Sequence, residues 1–397
     1  MNYLIPLVAI LLAVWLAFSR RLRKSSSWQA TVTPLASIMG SGFLISAPLL
    51  GGLVGEWAFA AMGFLLVLAF FVGSAIRFNI RNFEPVEHRK GLTQTIAFAS
   101  RVVLVFAYFI SVVYYLELLA AFALHFFGED NRANANVVTS LLLTGIAVVG
   151  IWRGLDSLEK VERFAVALNL GMIGALLVAL VIHNAGLSFG GEWALPEVDS
   201  IINGHDLRVL LGLLIVVQGF ETSRYLGTKH SPEERIATMR RAQLISAAIY
   251  LVFVGLATVL FTREMEADVT AILVLTKEVA IVLPFLLTIA ALGSQFSAAV
   301  ADTAGAGGLI RDISNNRISE RVAYGIIFIV TLLLTWVVDV NSVIALASRA
   351  FALFYALQCL VAAMVAFAVP AKGKALAFLV LAAICTLVFL LGIPAEG

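Results

Sequence analysis

The sequence predicts an all-α polytopic membrane protein with twelve transmembrane helices. Of its 397 residues, 61% are hydrophobic and 13% are charged, whereas a soluble domain carries roughly 25% charged residues. The hydrophobic residues form long runs separated by charged segments, and about 20 apolar residues suffice to cross a bilayer. This composition leaves no room for a large soluble domain.

Twelve apolar runs cover most of the chain. We place the spans at 3–19, 31–55, 57–76, 92–126, 137–152, 160–182, 207–226, 240–262, 280–310, 320–338, 341–369 and 374–392. Basic residues follow the first run instead of preceding it, which is unlike a secretory signal peptide. We therefore interpret this run as a retained helix.

The basic residues predict the orientation of the spans. Alternate loops, starting with the basic cluster at 20–24, contain 21 of the 27 Lys and Arg residues. Cytoplasmic loops are enriched in Lys and Arg. We therefore expect a multi-pass protein of the plasma (inner) membrane with both chain termini outside.

The second span contains an unusual stretch, Ile38 to Leu44, in which Gly40 and Gly42 flank Ser41. Glycine costs about 1 kcal/mol relative to Ala in a helix interior. A broken helix survives in hydrocarbon only where it lines a cavity, so the stretch indicates an unwound binding segment. Small residues also allow close helix packing, and this stretch alone does not decide between the two interpretations.

An internal relation favours the binding segment. Without the first helix (1–24) and the final helix (374–392), the spans divide into five at 31–182 and five at 207–369. The two sets begin with opposite orientations, as an inverted repeat requires. The opening helix of the second set also has polar residues and glycine at 218–223. We therefore expect both opening helices to be broken, and an unbroken one would count against a carrier.

Four stretches carry a resemblance to the amino acid–polyamine–organocation (APC) superfamily of permeases, which share the LeuT-type five-plus-five fold. The first is Gly-Ser-Gly-Phe in the second span with the proline that follows it, at 40–48, and the second is Gln-Gly-Phe-Glu in the seventh span with the Ser-Pro-Glu-Glu-Arg that follows it, at 218–235. The other two are the link between the fifth and sixth spans, at 153–164, and part of the ninth span, at 292–312. The resemblance covers 31–369. The chain departs from the family in its added first helix, in its single helix after the core, and in Asn169, where some proton-coupled members have a lysine.

The resemblance implies a secondary active transporter, a symporter or exchanger that moves an amino acid or related small amine by alternating access, and no enzyme. It implies that the backbone amides of Ser41, Gly42 and Phe43 bind a substrate carboxylate. It also implies that carbonyls around Gln218, Gly219 and Phe220 face an amine, with Phe220 as a lid. The complete set of candidate substrate residues is Met39, Gly40, Ser41, Gly42, Phe43, Tyr115, Gln218, Gly219, Phe220 and Glu221. Core packing is the alternative role for the two phenylalanines, and capping of the broken helix is the alternative for Glu221.

The ninth span presents a small and polar face that suits a cation. Ser294 and Asp302 are separated by two four-residue steps, which puts them on one side of a helix, and Ser297 and Thr303 lie nearby. Hard cations prefer oxygen ligands. In sodium-coupled relatives such hydroxyls meet carbonyls of the first core helix, which here implies Ala36 and Met39. We predict a Na⁺ or H⁺ site, and pairing of Asp302 with an arginine is the structural alternative.

Glu117 and Arg349 lie at similar distances from the outer ends of their spans. We predict that they form a gating ion pair. The sequence contains no His/Cys cluster with metal-ligand spacing and no phosphate-binding loop. We therefore expect a small-molecule substrate and the lipid bilayer as partners, and no nucleic acid. We expect no cofactor other than Na⁺ or H⁺ as the coupling ion. The oligomeric state stays open.

Two other functions remain in consideration. One is a carrier similar to the sodium:solute symporters, with the same fold, for a sugar, nucleobase or carboxylate. The other is a channel or a non-transporting membrane subunit, which the absence of repeated filter segments disfavours.

Overall fold

The computed structural model describes residues 2–129, 131–195, 202–226, 230–262, 268–369 and 371–394, without the side chains at 23, 41 and 156–163. These residues are α-helical apart from short 3-10 turns and links. The helices are α1 (Leu4–Phe18), α2 (Arg20–Lys24), α3 (Ser26–Val54), α4 (Ala58–Asn82), α5 (Leu92–Phe126), α6 (Arg132–Arg153), α7 (Asp156–Gly190), α8 (Gly204–Gly212), α9 (Pro232–Ala257), α10 (Ala271–Val279), α11 (Leu283–Ile313), α12 (Glu320–Val337), α13 (Val340–Ala368) and α14 (Lys372–Leu391).

The predicted fold class is confirmed. The described residues contain ten helical runs long and apolar enough to cross a membrane, and one of them, Ser26–Asn82, comprises both α3 and α4. The predicted span at 207–226 is not among these runs because it is broken. The total of twelve spans therefore stays a prediction.

Side-chain caps explain where several helices begin. Ser231 accepts a hydrogen bond from the Glu234 amide at the start of α9, and a proline follows at the first helical position. Asp339 accepts from the Ser342 amide at the start of α13. Such caps satisfy amides that have no partner within the helix.

Helix packing follows the pattern expected for two related sets of five helices. The α3–α9 contact has its counterpart in the contact of the broken segment with α4. The α5–α13 and α5–α6 contacts likewise have counterparts in α11–α7 and α11–α12. Each of these contacts in one set of five helices therefore has an equivalent when the corresponding helices of the other set are substituted. The inverted repeat over 31–182 and 207–369 itself stays a prediction.

The expected break in the second span is wrong. The helix α3 runs continuously from Ser26 to Val54, through Gly40 and Gly42. Inside a continuous helix the main-chain amides form the helical hydrogen bonds, so the amides of residues 41–43 are not free for a carboxylate. Gly42 has a different role here, which is close backbone contact with the 3-10 turn that contains Val216.

The expected break in the seventh span is confirmed. The helix α8 ends at Gly212, a 3-10 turn covers Leu214–Val217, and a second 3-10 segment covers Phe220–Leu226. Between the two turns, Gln218 is extended and Gly219 has a φ of 115°. Glycine populates positive φ without steric cost, which explains why the chain breaks at this residue. We call residues 213–226 the broken segment.

A polar network joins the ends of helices on the predicted cytoplasmic side. Both guanidinium Nη atoms of Arg235 bond to the Glu84 carboxylate at 3.0 and 2.6 Å, and Arg235 Nη1 also donates to the Arg224 carbonyl at 2.7 Å. The Arg224 side chain bonds to Gln358 of α13. The network therefore ties the broken segment to α9, α13 and the link between α4 and α5.

Candidate functional site

The broken segment lies directly against α3 through two glycines. A Cβ atom on Gly42 would lie 2.7 Å from the Cα of Val216. A Cβ atom on Gly219 would lie 2.7 Å from the main-chain nitrogen of Ile38. Real Cβ atoms do not approach other atoms so closely, so glycine at each position is what allows the two backbones to meet.

Two side chains bond to carbonyls of α3 at this contact. The Tyr250 hydroxyl of α9 lies 3.0 Å from the Ile38 oxygen and 2.6 Å from the Val216 oxygen. The Gln295 amide of α11 donates to the Gly40 oxygen at 3.1 Å. The Gln295 Oε1 atom is buried and has no hydrogen-bond partner among the described residues. It therefore offers a free acceptor at the glycine-rich part of α3.

Two polar residues of the broken segment, Gln218 and Glu221, are buried and hydrogen-bonded. Gln218 donates to the Tyr115 hydroxyl of α5 at 2.8 Å. Glu221 Oε2 accepts from the Gly219 amide at 3.0 Å and from the Tyr355 hydroxyl at 2.8 Å. Glu221 therefore holds the break in shape, while its Oε1 atom has no partner among the described residues.

The two phenylalanines lie in the core. Phe220 is 1% exposed and stacks on Tyr355, with 5.2 Å between ring centroids. Phe43 is 1% exposed and packs against Phe253 and Tyr250. Both rings fill space between helices in this structure, which matches the core-packing alternative and not the lid predicted for Phe220.

A cavity of about 350 Å³ lies beside the broken segment. This volume falls within the range of roughly 300–1,000 Å³ of small-molecule sites. Its walls come from α3, α5, α7, α11 and the second 3-10 segment: Thr33, Ala36, Ser37, Tyr108, Val166, Asn169, Thr222, Tyr225, Leu226, Ser294, Ser297, Ala298, Ala301, Asp302, Ala304, Gly305, Gly308, Leu309 and Asp312. From Ser294 to Asp312 the cavity follows about 27 Å of helix axis, towards the predicted cytoplasmic side.

Part of the predicted cation site lines this cavity. Asp302 is 6% exposed and accepts a hydrogen bond from Ser111 of α5. Ala36, Ser294 and Ser297 lie in the same wall. Met39 and Thr303 are not in it, and the Thr303 hydroxyl donates to the Ala299 carbonyl of its own helix at 2.7 Å. The structure thus brings four of the six predicted residues to one cavity.

The predicted gating ion pair is wrong. Arg349 donates to the Phe389 carbonyl at 2.7 Å and lies over the Phe389 ring. Arg208 of α8 donates to the Leu391 carbonyl at 3.1 Å. Both arginines therefore satisfy carbonyls at the end of α14, where cations are favoured by the helix dipole. Neither carboxylate oxygen of Glu117 has a hydrogen-bond partner among the described residues.

Sequence reasoning missed Tyr250, Gln295, Ser111 and Tyr355. Each is an isolated polar residue in an apolar run, which in principle marks a buried polar group that needs a partner. The hydrogen-bond partners of these four residues lie 34 to 255 positions away along the chain. The sequence therefore did not show which residue each of the four bonds to.

Comparison with known proteins extends over nearly the whole chain. A family described as APC superfamily transporter matches residues 20–392, so α1 precedes the match. A protein of Aquifex aeolicus (strain VF5), named only as an uncharacterized protein, is 41% identical over 384 residues, which cover 94% of this chain and 93% of that one. The crystal structure of a mutant manganese transporter from Eremococcus coleocola superposes with a TM-score of 0.57 at 13% identity, covering 92% of this chain and 87% of that one. At this identity the last comparison shows a shared fold.

Proposed function

Because the chain belongs to the APC superfamily of transporters, we propose that it is a secondary carrier that moves an amino acid or a related small amine by alternating access. The observation that supports this proposal is the cavity beside the broken segment, with the buried Asp302 in its wall. A buried carboxylate among hydroxyls and amides favours a cationic group over an anionic one. We propose transport and not catalysis as the activity.

The continuous α3 removes the argument for a carrier from two broken helices, so the proposal rests on the family and the cavity. It also changes where the substrate is expected to bind. Amides of residues 41–43 are engaged in the helix, so recognition of a substrate carboxylate by them is not supported in this conformation. The acceptors next to α3 are Gln295 Oε1 and Glu221 Oε1, both buried and without partners among the described residues. Acceptors of this kind suit the N–H groups of an amine.

The conformation agrees with a carrier whose cytoplasmic side is accessible. The cavity runs along α11 towards Asp312 and along α3 towards Thr33, which the basic loops place on the cytoplasmic side. Tyr115, Gln218 and Phe220 are buried above it. We propose that this is the state that releases substrate inward.

Asp302 is also the proposed site of the coupling ion. Ser294 and Ser297 share its cavity wall, and their hydroxyl oxygens are ligands that Na⁺ accepts. The Ala36 carbonyl belongs to the continuous α3 and serves its helical hydrogen bonds. A protonated Asp302 would instead couple transport to H⁺. Varying Na⁺ and pH separately distinguishes these two forms of the proposal.

Counterflow in liposomes tests the proposal. Purified protein is loaded with unlabelled amino acids, and uptake of radiolabelled amino acids is measured with and without Na⁺ at several pH values. We expect saturable counterflow that Asp302→Asn reduces at least tenfold, while Asp312→Asn, an exposed carboxylate of the same cavity, leaves it nearly unchanged. Counterflow by no amino acid or amine, or equal counterflow in Asp302→Asn, would contradict the proposal.

A divalent cation is the second candidate substrate, because Asp302 places a buried carboxylate in the cavity wall and the transporter of similar fold is named for manganese. Uptake of Mn²⁺ in the same liposomes tests it. A thermal-shift screen adds sugars, nucleobases and carboxylates, since a ligand at 100 times its dissociation constant stabilises a protein by about 2.7 kcal/mol.

A further inference from the structure

Glu117 is a buried acid that the proposed site does not use. It lies in α5, nine residues before the end of that helix at Phe126, or about 13 Å along the axis. The side chain is 4% exposed. Neither Oε1 nor Oε2 has a hydrogen-bond partner among the described residues.

The charged groups around Glu117 do not neutralise it. The helix α5 packs against α6, α11, α12 and α13. Two charges of opposite sign lie at helix starts on the predicted outer side, Arg132 of α6 and Asp339 before α13. The charged residues of α12, Glu320 and Arg321, lie at its opposite end. Arg349 of α13 donates a hydrogen bond to a carbonyl at the end of α14. Asp302 of α11 accepts a hydrogen bond from Ser111.

An ionised carboxylate in such a place is unfavourable. A charge within a membrane span needs a partner or water, and an uncompensated buried charge is strongly destabilising. The neutral acid avoids this cost. A metal ion is a less suitable occupant than a proton. The helix α5 is continuous over Leu92–Phe126, so its carbonyls serve its own hydrogen bonds, and the Glu117 carboxylate is then the ligand that α5 offers at this position.

We propose that Glu117 is a proton-binding site reached from the outer side of the protein. In the conformation described here the carboxyl group carries the proton. When the outer ends of α5, α6 and α13 separate, water and Arg132 reach the group, and the proton leaves an Oε atom to water. Proton binding to Glu117 and closure of the protein on its outer side are therefore linked. Each stabilises the other by the same free energy.

The role of this site in coupling rests on the proposed transport function, but proton binding does not. Infrared difference spectroscopy of the full chain in lipid nanodiscs, stepped from alkaline to mildly acidic pH, detects protonation of a buried carboxyl group by its C=O stretch. We expect such a band in the wild type, its complete loss in Glu117→Gln, and a shifted band in Glu117→Asp. Glu278→Gln, which changes an exposed acid of α10, should keep the band.

Transport then separates the two proposals. Uptake of the counterflow substrate should increase as the outer pH falls in the wild type and in Glu278→Gln, and this increase should be clearly smaller in Glu117→Gln. A Glu117-dependent band without any transport would overturn the carrier and leave the proton site standing. The absence of a Glu117-dependent band would overturn the proton site, and an unchanged pH profile in folded Glu117→Gln would overturn its role in coupling.

Discussion

The Cα of Val216 lies 2.7 Å from the position that a Cβ atom would occupy on Gly42. This contact joins a continuous helix, α3, to the first 3-10 turn of the broken segment. The glycine-rich stretch of α3 is therefore a surface for close backbone contact. Its neighbour Gly40 is less constrained, because a Cβ atom there would lie 3.8 Å from the nearest atoms of Ala298 and Ser294.

Gly42→Ala should destabilise the protein, whereas Gly40→Ala should not. Overpacking of this kind costs about 1–3 kcal/mol, while Ala in place of Gly at an uncrowded helical position stabilises by up to about 1 kcal/mol. Thermal unfolding in detergent should show a lower Tm for Gly42→Ala and an equal or higher Tm for Gly40→Ala. Equal losses in both variants would mean that the two glycines are constrained alike.

Tyr250→Phe should loosen the contact between α3 and the broken segment. The substitution removes one hydroxyl that reaches the carbonyls of Ile38 and Val216. Losing a buried hydrogen bond costs about 1–3 kcal/mol when a partner is left unsatisfied. Hydrogen exchange of residues 213–219 should become faster. Unchanged exchange in this segment would show that the hydroxyl does not hold it.

Ser111→Ala should weaken the cation dependence of transport through Asp302. The Ser111 hydroxyl bonds to the Asp302 carboxylate from α5, and hydrogen bonds to charged groups contribute about 1.5–3 kcal/mol. In the counterflow assay we expect a roughly tenfold higher concentration of coupling cation for half-maximal uptake. Ser140→Ala on the neighbouring α6, where the hydroxyl donates to the Asn136 carbonyl and accepts from Trp336 away from the cavity, serves as the control.

Glu84→Gln should destabilise the predicted cytoplasmic face far more than Glu320→Gln. Glu84 bonds to both Nη atoms of Arg235, whose side chain is 4% exposed. Removing its charge should cost about 1.5–3 kcal/mol. The Glu320–Arg311 pair is exposed, and such pairs contribute about 0–1 kcal/mol. Urea unfolding of both variants measures the difference, and comparable midpoints would contradict it.

The spans and one of the two breaks could be predicted because they depend on local composition. Apolar runs indicated the helices, and the polar residues with Gly219 marked the break that the structure contains. These features follow from which residues neighbour each other along the chain.

The second break could not be predicted because the role of a glycine depends on what lies opposite it. The sequence of α3 does not contain the information that Val216 packs against Gly42. Similarly, Glu117 and Arg349 share a depth in the predicted bilayer, but depth does not fix the direction of a side chain around its helix axis. Arg349 points towards Phe389 of α14, and so the pair does not form.

The first helix is joined to the core by two further glycines. A Cβ atom on Gly171 of α7 would lie 2.8 Å from the Ala9 oxygen, and one on Gly174 would lie 2.6 Å from Leu12 Cδ1. Any tilt of α7 during a transport cycle therefore carries α1 with it. The candidate span that contains α1, Leu4–Leu22, has 19 residues, about 28 Å, which is close to the roughly 30 Å hydrocarbon layer. A change in bilayer thickness therefore acts on α1 and, through its contact, on α7. The turnover rate should consequently vary with the acyl-chain length of the surrounding lipid.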